Sequence, residues 1–252
     1  MPTTPADKTP SRPARKKPAG PAPTLVLLVR HGTTPTTGKV LPGRAPGLHL
    51  ADFGRDQAHT VAGRLERWSS ARAERASAAR RARNGRPTAA TLGPLITAVY
   101  SSPMERTRET AAPIAKDLGL PVRTHKGLLE CDFGEWTGAQ LKELVKRPEW
   151  TTVQRYPSGF RFPGGESFTS MQARIVDTIT ELCRRHPGEA IVAVSHADPI
   201  KAAVADALGS HLDLFQRIVI SPCSVTAISY GPVGPTVLAV NSTSDLTDLV
   251  GS

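Results

Sequence analysis

Five apolar residues in succession, Leu25 to Val29, run directly into Arg30, His31 and Gly32. A strand with one wet face alternates apolar and polar residues, so an unbroken run of this kind belongs to a strand covered on both sides. Short apolar segments bounded by turn residues recur at Ile96–Tyr100, Ala190–Val194, Val225–Tyr230 and Thr236–Val240. Helical spacing fills the intervals. One helix is expected from near Phe53 past Trp68, and another after Ser102-Pro103, with Ser102 as its cap and Pro103 as its first residue. A third is expected over Ser167–Arg185, with Phe168, Met171, Ile175, Ile179 and Leu182 on one face. A fourth follows His196, with Ile200, Val204 and Leu208 as its stripe. This alternation predicts an α/β domain whose mainly parallel sheet is covered on both faces.

Charge divides the chain. The net charge of +10 invites a nucleic-acid reading, but two segments account for all of it. Residues 1–23 are Pro-, Ala- and Lys/Arg-rich, and read as a disordered basic tail outside a folded domain of residues 24–252. Residues 64–86 hold eight arginines and two glutamates. Within the folded part, the Arg/Ala-rich stretch of about 70–92 reads as an insertion or helix extension with a solvated face. The remaining body is neutral, so no nucleic-acid partner is expected. Cys131, Cys183 and Cys223 follow no zinc or disulfide spacing and are expected as free thiols. No apolar run is long enough to span a membrane, and the tail lacks the apolar centre of a secretory signal. A cytoplasmic protein is expected; oligomeric state is not legible.

In sheets of this class ligands gather beyond the carboxyl ends of the strands. Arg30-His31 follows the first strand there, Ser101 to Arg108 the second, and Ser195-His196 the third. Arg106 lies one turn into a helix whose N-terminus points to the same edge, which favours an anion. Glu130 falls on a loop with Gly134 and Gly138. Two arginines, two histidines and a carboxylate suit phosphoryl transfer without a metal: cations for the transferring group, a nucleophile and a proton donor.

The stretches "VRHGTT", "YSSPMERTRETA", "LLECDFGEWTG", "FPGGESF" and "VSHADPI" resemble, in order, the signatures of the histidine phosphatase superfamily, the phosphoglycerate mutase-like proteins. The resemblance implies a three-layer α/β sandwich of phosphoglycerate mutase-like fold. It implies that His31 is the nucleophile, that Arg30, Arg106 and a protonated His196 complete the phosphate pocket, and that Glu130 is the general acid. Thr37, Arg44 and Ala197 join the expected substrate-binding set. Thr33 and Thr37 depart from the usual residues after the Arg-His-Gly. "LPGRAPGLHL" resembles the substrate-side loop, which sets Arg44 as a contact to the leaving group against an ordinary salt-bridging arginine. No metal or cofactor is implied.

Only residues 139–163 separate the glutamate motif from the Gly-Gly-Glu segment, a shorter cover than in the family's cofactor-dependent mutases. A phosphatase acting on a small phosphorylated metabolite through a phosphohistidine is therefore expected, with a phosphomutase as the alternative. A catalytically weak binding protein is a third reading, opposed by the complete set of site residues.

Overall fold

The computed structural model describes residues 22–82 and 95–246. In chain order these form β1 (Thr24–Arg30), α1 (Asp52–Ala82), β2 (Ile96–Ser101), α2 (Glu105–Asp117), β3 (Val122–Thr124), α3 (Leu141–Leu144), α4 (Glu149–Arg155), α5 (Phe168–Arg185), β4 (Ala190–Ser195), α6 (Ala197–Ala207), β5 (Val225–Gly231) and β6 (Gly234–Ser242). The strands make one sheet in the order β3-β2-β4-β1-β5-β6. The pairs β3–β2, β2–β4 and β4–β1 are parallel, whereas β1–β5 and β5–β6 are antiparallel. The expected α/β class and mainly parallel sheet are thus found. β3 went unread because it has three residues, is half exposed and carries no apolar run.

Each face of the sheet has its own core, which makes three layers. Val26 and Leu28 of β1 point with Tyr100, Ile191 and Ala193 toward α5 and α6. Leu25, Leu27 and Val29 point with Val99, Val192 and Val194 toward α1 and α2. β1 is apolar from Leu25 to Val29 because both of its faces are covered, and truncating one such leucine to alanine costs about 2–5 kcal/mol. α5 follows its predicted form: Ser167 Oγ accepts from Ser170 N at 3.0 Å, and the five stripe residues are buried.

Three expectations require correction. α2 starts at Glu105 with Met104 in the cap position and no side-chain cap. Ser102 is instead fully buried, with its hydroxyl on His196. Leu208 is 59% exposed because α6 has already ended there, at a turn through Gly209 with φ +63°. α1 does extend through the Arg/Ala-rich stretch to Ala82, yet Arg72 is buried with its guanidinium 4.4 Å from the Trp68 ring centre, so that face is not wholly solvated. The rest of that stretch, 83–92, and the basic tail up to residue 21 lie outside the described residues.

The loop after β1 is held by close backbone packing. A Cβ on Gly32 would lie 2.5 Å from the Gly54 carbonyl oxygen, and one on Gly54 would lie 2.0 Å from that of Thr33. Ala51 N donates to Thr33 O, Thr33 N to Gln57 Oε1, and Gly32 N to Thr110 Oγ1. The starts of α1 and α2 therefore clamp the segment that follows His31. Gly54→Ala should force this contact apart, at about 1–3 kcal/mol of stability. Urea unfolding measures it, and an unchanged midpoint would contradict the packing.

Candidate active site

Strand register brings the reactive residues together. Arg30 pairs with Ser195 across β1–β4, and Ser101 with Val194 across β2–β4, so the three strands end at one edge. The next residues are His31, His196 and Ser102. The two imidazoles meet edge to face with ring centres 5.3 Å apart. Beside them lies a cavity of about 380 Å³, lined by Arg30, His31, Thr34, Thr37, Glu130 and Ala197 among others. Leu41, Pro42, Phe133 and Leu141, together with Ile218 to Ile220, give it apolar walls.

His31 has a defined tautomer. Its Nδ1 lies 2.8 Å from the Gly32 carbonyl, which can only accept, so Nδ1 carries the proton and Nε2 keeps its lone pair. Burial, followed by the charges of Arg106 and Arg30, pulls its pKa down to about 3. The imidazole is neutral throughout the physiological range, as a nucleophile requires.

The two arginines hold spare donors. Arg30 Nη1 donates to Ile220 O at 2.6 Å, and Arg106 Nη2 donates to Gly43 O at 2.7 Å and to His196 Nδ1 at 3.2 Å. Arg30 Nε and Arg106 Nε and Nη1 are buried without an acceptor among the described residues. Unpaired buried guanidinium donors are costly, and a tetrahedral oxyanion is the group that would use them.

His196 differs from expectation. It accepts from Arg106 at Nδ1, so its proton is on Nε2, which lies 2.9 Å from Ser102 Oγ. Complete burial and the charges of Arg106, His31, Arg174 and Arg30 hold its pKa well below the ordinary value. It is therefore neutral rather than protonated, and it contributes orientation instead of charge.

Glu130 is held near neutrality. Its Oε1 accepts from Cys131 N at 3.0 Å, and Oε2 lies 4.0 Å from His196 Nδ1. Burial and the nearby Asp198 push its pKa up to about 7 against the opposing pull of Arg106, the Cys131 amide and Arg30. A carboxyl in this state can donate a proton at neutral pH and take one back. The adjacent Cys131 is a packing residue, fully buried and with its thiol raised by burial.

Thr37 Oγ1 accepts from Thr34 N at 2.9 Å and lines the cavity, and Ala197 lines it at the start of α6. Arg44, like the fully buried Arg106 and His196, is not among the lining residues. Its guanidinium turns to the far side of the glutamate loop, to Glu130 O at 2.8 Å and Glu166 at 2.9 Å. The salt-bridging alternative describes it: one acceptor is on that loop and the other, Glu166, is the carboxylate of the Gly-Gly-Glu segment. Ser102, Asp198, Lys201 and Gln216 were missed. Lys201 Nζ joins Asp198 at 3.3 Å and Gln216 at 3.2 Å on the cavity wall. The i,i+3 pair after His196 was a usable signal; Gln216 had none, because it arrives from a distant segment.

Other histidines lie elsewhere. His125 and His211 cap short helical turns, and His49 pairs with Glu109. His186 stands in the cap position at the end of α5, buried between Tyr100 and Glu189.

Replacing Arg106 with methionine removes one of the cations that hold His31 neutral and Glu130 low. NMR titration should then place both pKa values above those of the unmutated protein, about 3 and about 7. Unmoved values would refute the electrostatic coupling.

The sequence model of the histidine phosphatase superfamily (branch 1) matches residues 26–95 and 85–243. Phosphoserine phosphatase 1 of Hydrogenobacter thermophilus is 30% identical over 158 residues, 59% of this chain and 71% of that protein. A bifunctional protein of Mycobacterium tuberculosis is 31% identical over 228 residues, 89% of this chain; the match spans 55% of that protein's length. A solved structure of Entamoeba histolytica phosphoserine phosphatase shares the fold, with a TM-score of 0.71 and 24% identity over 88% of this chain and 98% of that one. With the matched segments running from β1 into the C-terminal strand, the chain belongs to branch 1 of the histidine phosphatase superfamily.

Proposed function

We propose that this protein is a phosphatase that hydrolyses a small phosphorylated metabolite through a phosphohistidine on His31. The observation that carries the reading is the neutral His31 between two arginines with buried, unused donors, beside a carboxyl whose pKa is pushed up to about 7. In the first half-reaction His31 Nε2 attacks phosphorus. The bond to the leaving oxygen breaks, and Glu130 gives that oxygen its proton. Arg30 and Arg106 carry the phosphoryl charge, with Thr37 and the start of α6 at Ala197 as further contacts. In the second, Glu130 takes a proton from water as its oxygen attacks phosphorus, which frees phosphate and restores His31.

Residues 139–163 favour water over a second substrate hydroxyl as acceptor. Leu144, Val153 and Phe162 are buried in the core with Trp136 and Phe168, so this segment serves as packing more than as a cover over the cavity. The leaving group suited to the cavity has an apolar body and a polar end, met by the apolar walls and by Asp198, Lys201 and Gln216. Phosphoserine, the substrate in the names of relatives, is the first compound to try. Three unpaired thiols favour the cytoplasm, and no helix among the described residues is long and apolar enough to cross a membrane. We assign no nucleic-acid partner, since the excess charge belongs to residues 1–23 and 64–86 and none of the cavity's lining residues comes from them.

Quenching the protein in alkaline detergent during turnover of a ³²P-labelled phosphomonoester should trap an acid-labile, base-stable phosphohistidine, with inorganic phosphate as the released product. His31→Ala should abolish the label and lower turnover at least about 10³-fold. Equal activity in that variant would overturn the reading, and isomer formation without free phosphate would replace it with the mutase.

For an alkyl phosphate, kcat/KM should fall as pH rises through about 7, because ionised Glu130 has no proton to donate. Glu130→Gln should remove this limb and lower kcat about 10²–10⁴-fold. Retention of the limb in that variant would assign it to another group.

A further inference from the structure

Glu130 is poorly anchored by its own side chain. Its carboxyl accepts one hydrogen bond, from the amide next to it, so the direction in which it points is set by the backbone at 129–131. That backbone is gripped by two arginines from separate segments. Arg44 Nε donates to Glu130 O at 2.8 Å, and Arg174 Nη2 donates to the same oxygen at 3.3 Å. Arg174 Nη1 also donates to Leu129 O and Gly127 O, each at 2.8 Å.

Two guanidinium groups on one carbonyl repel each other unless an anion lies between them. Glu166 supplies it. Its Oε2 accepts from Arg44 Nη2 at 2.9 Å and Arg174 Nη2 at 2.8 Å, while Oε1 accepts from Arg174 Nε at 2.9 Å. Arg174 therefore binds Glu166 with two parallel bonds, the arrangement that best fixes a guanidinium plane. Asp132 N adds a contact to Glu166 Oε2 at 3.3 Å, and Glu166 N returns one to Asp132 O at 2.9 Å. The Glu166 side chain is 14% exposed and does not line the cavity.

We propose that Glu166 is a positioning residue for proton transfer: bridging Arg44 and Arg174, it locks the glutamate loop so that the Glu130 carboxyl stays beside His196 at the cavity wall. This gives the glutamate of the "FPGGESF" segment a role and makes Arg44 part of the same clamp. The clamp stays charged while Glu130 titrates. Hydrogen bonding and charge from Arg174, the Asp132 amide and Arg44 outweigh burial and hold Glu166 below its ordinary range.

The proposal rests on Glu130 being the acid, and leaving-group chemistry separates the two claims. A dinitrophenolate leaves without a proton, whereas an alkoxide does not. Glu166→Gln and Arg44→Gln, each measured in the full chain, should lower kcat/KM for an alkyl phosphate about 10–100-fold, the scale of a displacement near 1 Å. The same variants should lower it less than about threefold for 2,4-dinitrophenyl phosphate, whose departure gains little from an acid. They should also flatten the limb near pH 7 for the alkyl ester alone. Equal losses on both esters, or no loss on either, would overturn the proposal. Arg44→Gln gives the same readout if the Glu166 variant does not fold. Were Glu130→Gln itself to show no preference between the esters, the acid assignment would fail first, and the positioning role with it.

Discussion

Half-buried Arg30 and fully buried Arg106 are cations at one edge of a sheet, and the rest of the site answers to their field. Burial alone disfavours a charged histidine; two adjacent guanidinium groups disfavour it further, so both His31 and His196 stay neutral. Burial alone would drive Glu130 further into its protonated form, and the same two cations pull it back toward neutrality. Burial and one pair of charges therefore set an imidazole that stays neutral and a carboxyl whose pKa is about 7. The arginines bear the cost of donors without acceptors, which an arriving phosphoryl group relieves.

The scaffold tolerates this concentration of charge because its position is over-determined. β1 is covered by an apolar layer on each face and is paired with β4 and β5. The loop after it is pinned by Gly32 against Gly54 and by hydrogen bonds that its Thr33 and Gly32 amides donate to Gln57 and Thr110. On the opposite side of the cavity the glutamate loop is held by Arg44, Glu166 and Arg174. His31 and Glu130 are thus each held by a separate device, which lets the other cavity walls vary without moving either residue.

Several residues change meaning once their surroundings are known. Thr37 stands at a departure from the usual pattern, yet its hydroxyl still organises the loop through Thr34 N. Arg72 belongs to a stretch that reads as solvated helix, but it covers Trp68. His186 ends α5 and is also buried in a hydrogen-bonded trio with Tyr100 and Glu189.

By itself the sequence determined the α/β class, the central strands, the amphipathic α5 and the five residues that meet at the sheet edge. These follow from local regularities: an unbroken apolar run, a helical stripe, or a motif at a strand end reports its own environment. β3 escaped because three half-exposed residues carry no such pattern, and the Ser102 cap misread a side chain whose partner, His196, lies 94 residues away. Only the tertiary structure decided that His196 is neutral, that Arg44 faces the glutamate loop, and that Asp198, Lys201 and Gln216 share the cavity wall. Protonation and hydrogen-bond choice depend on the sum of distant charges and competing acceptors, and that sum exists only after the chain has folded.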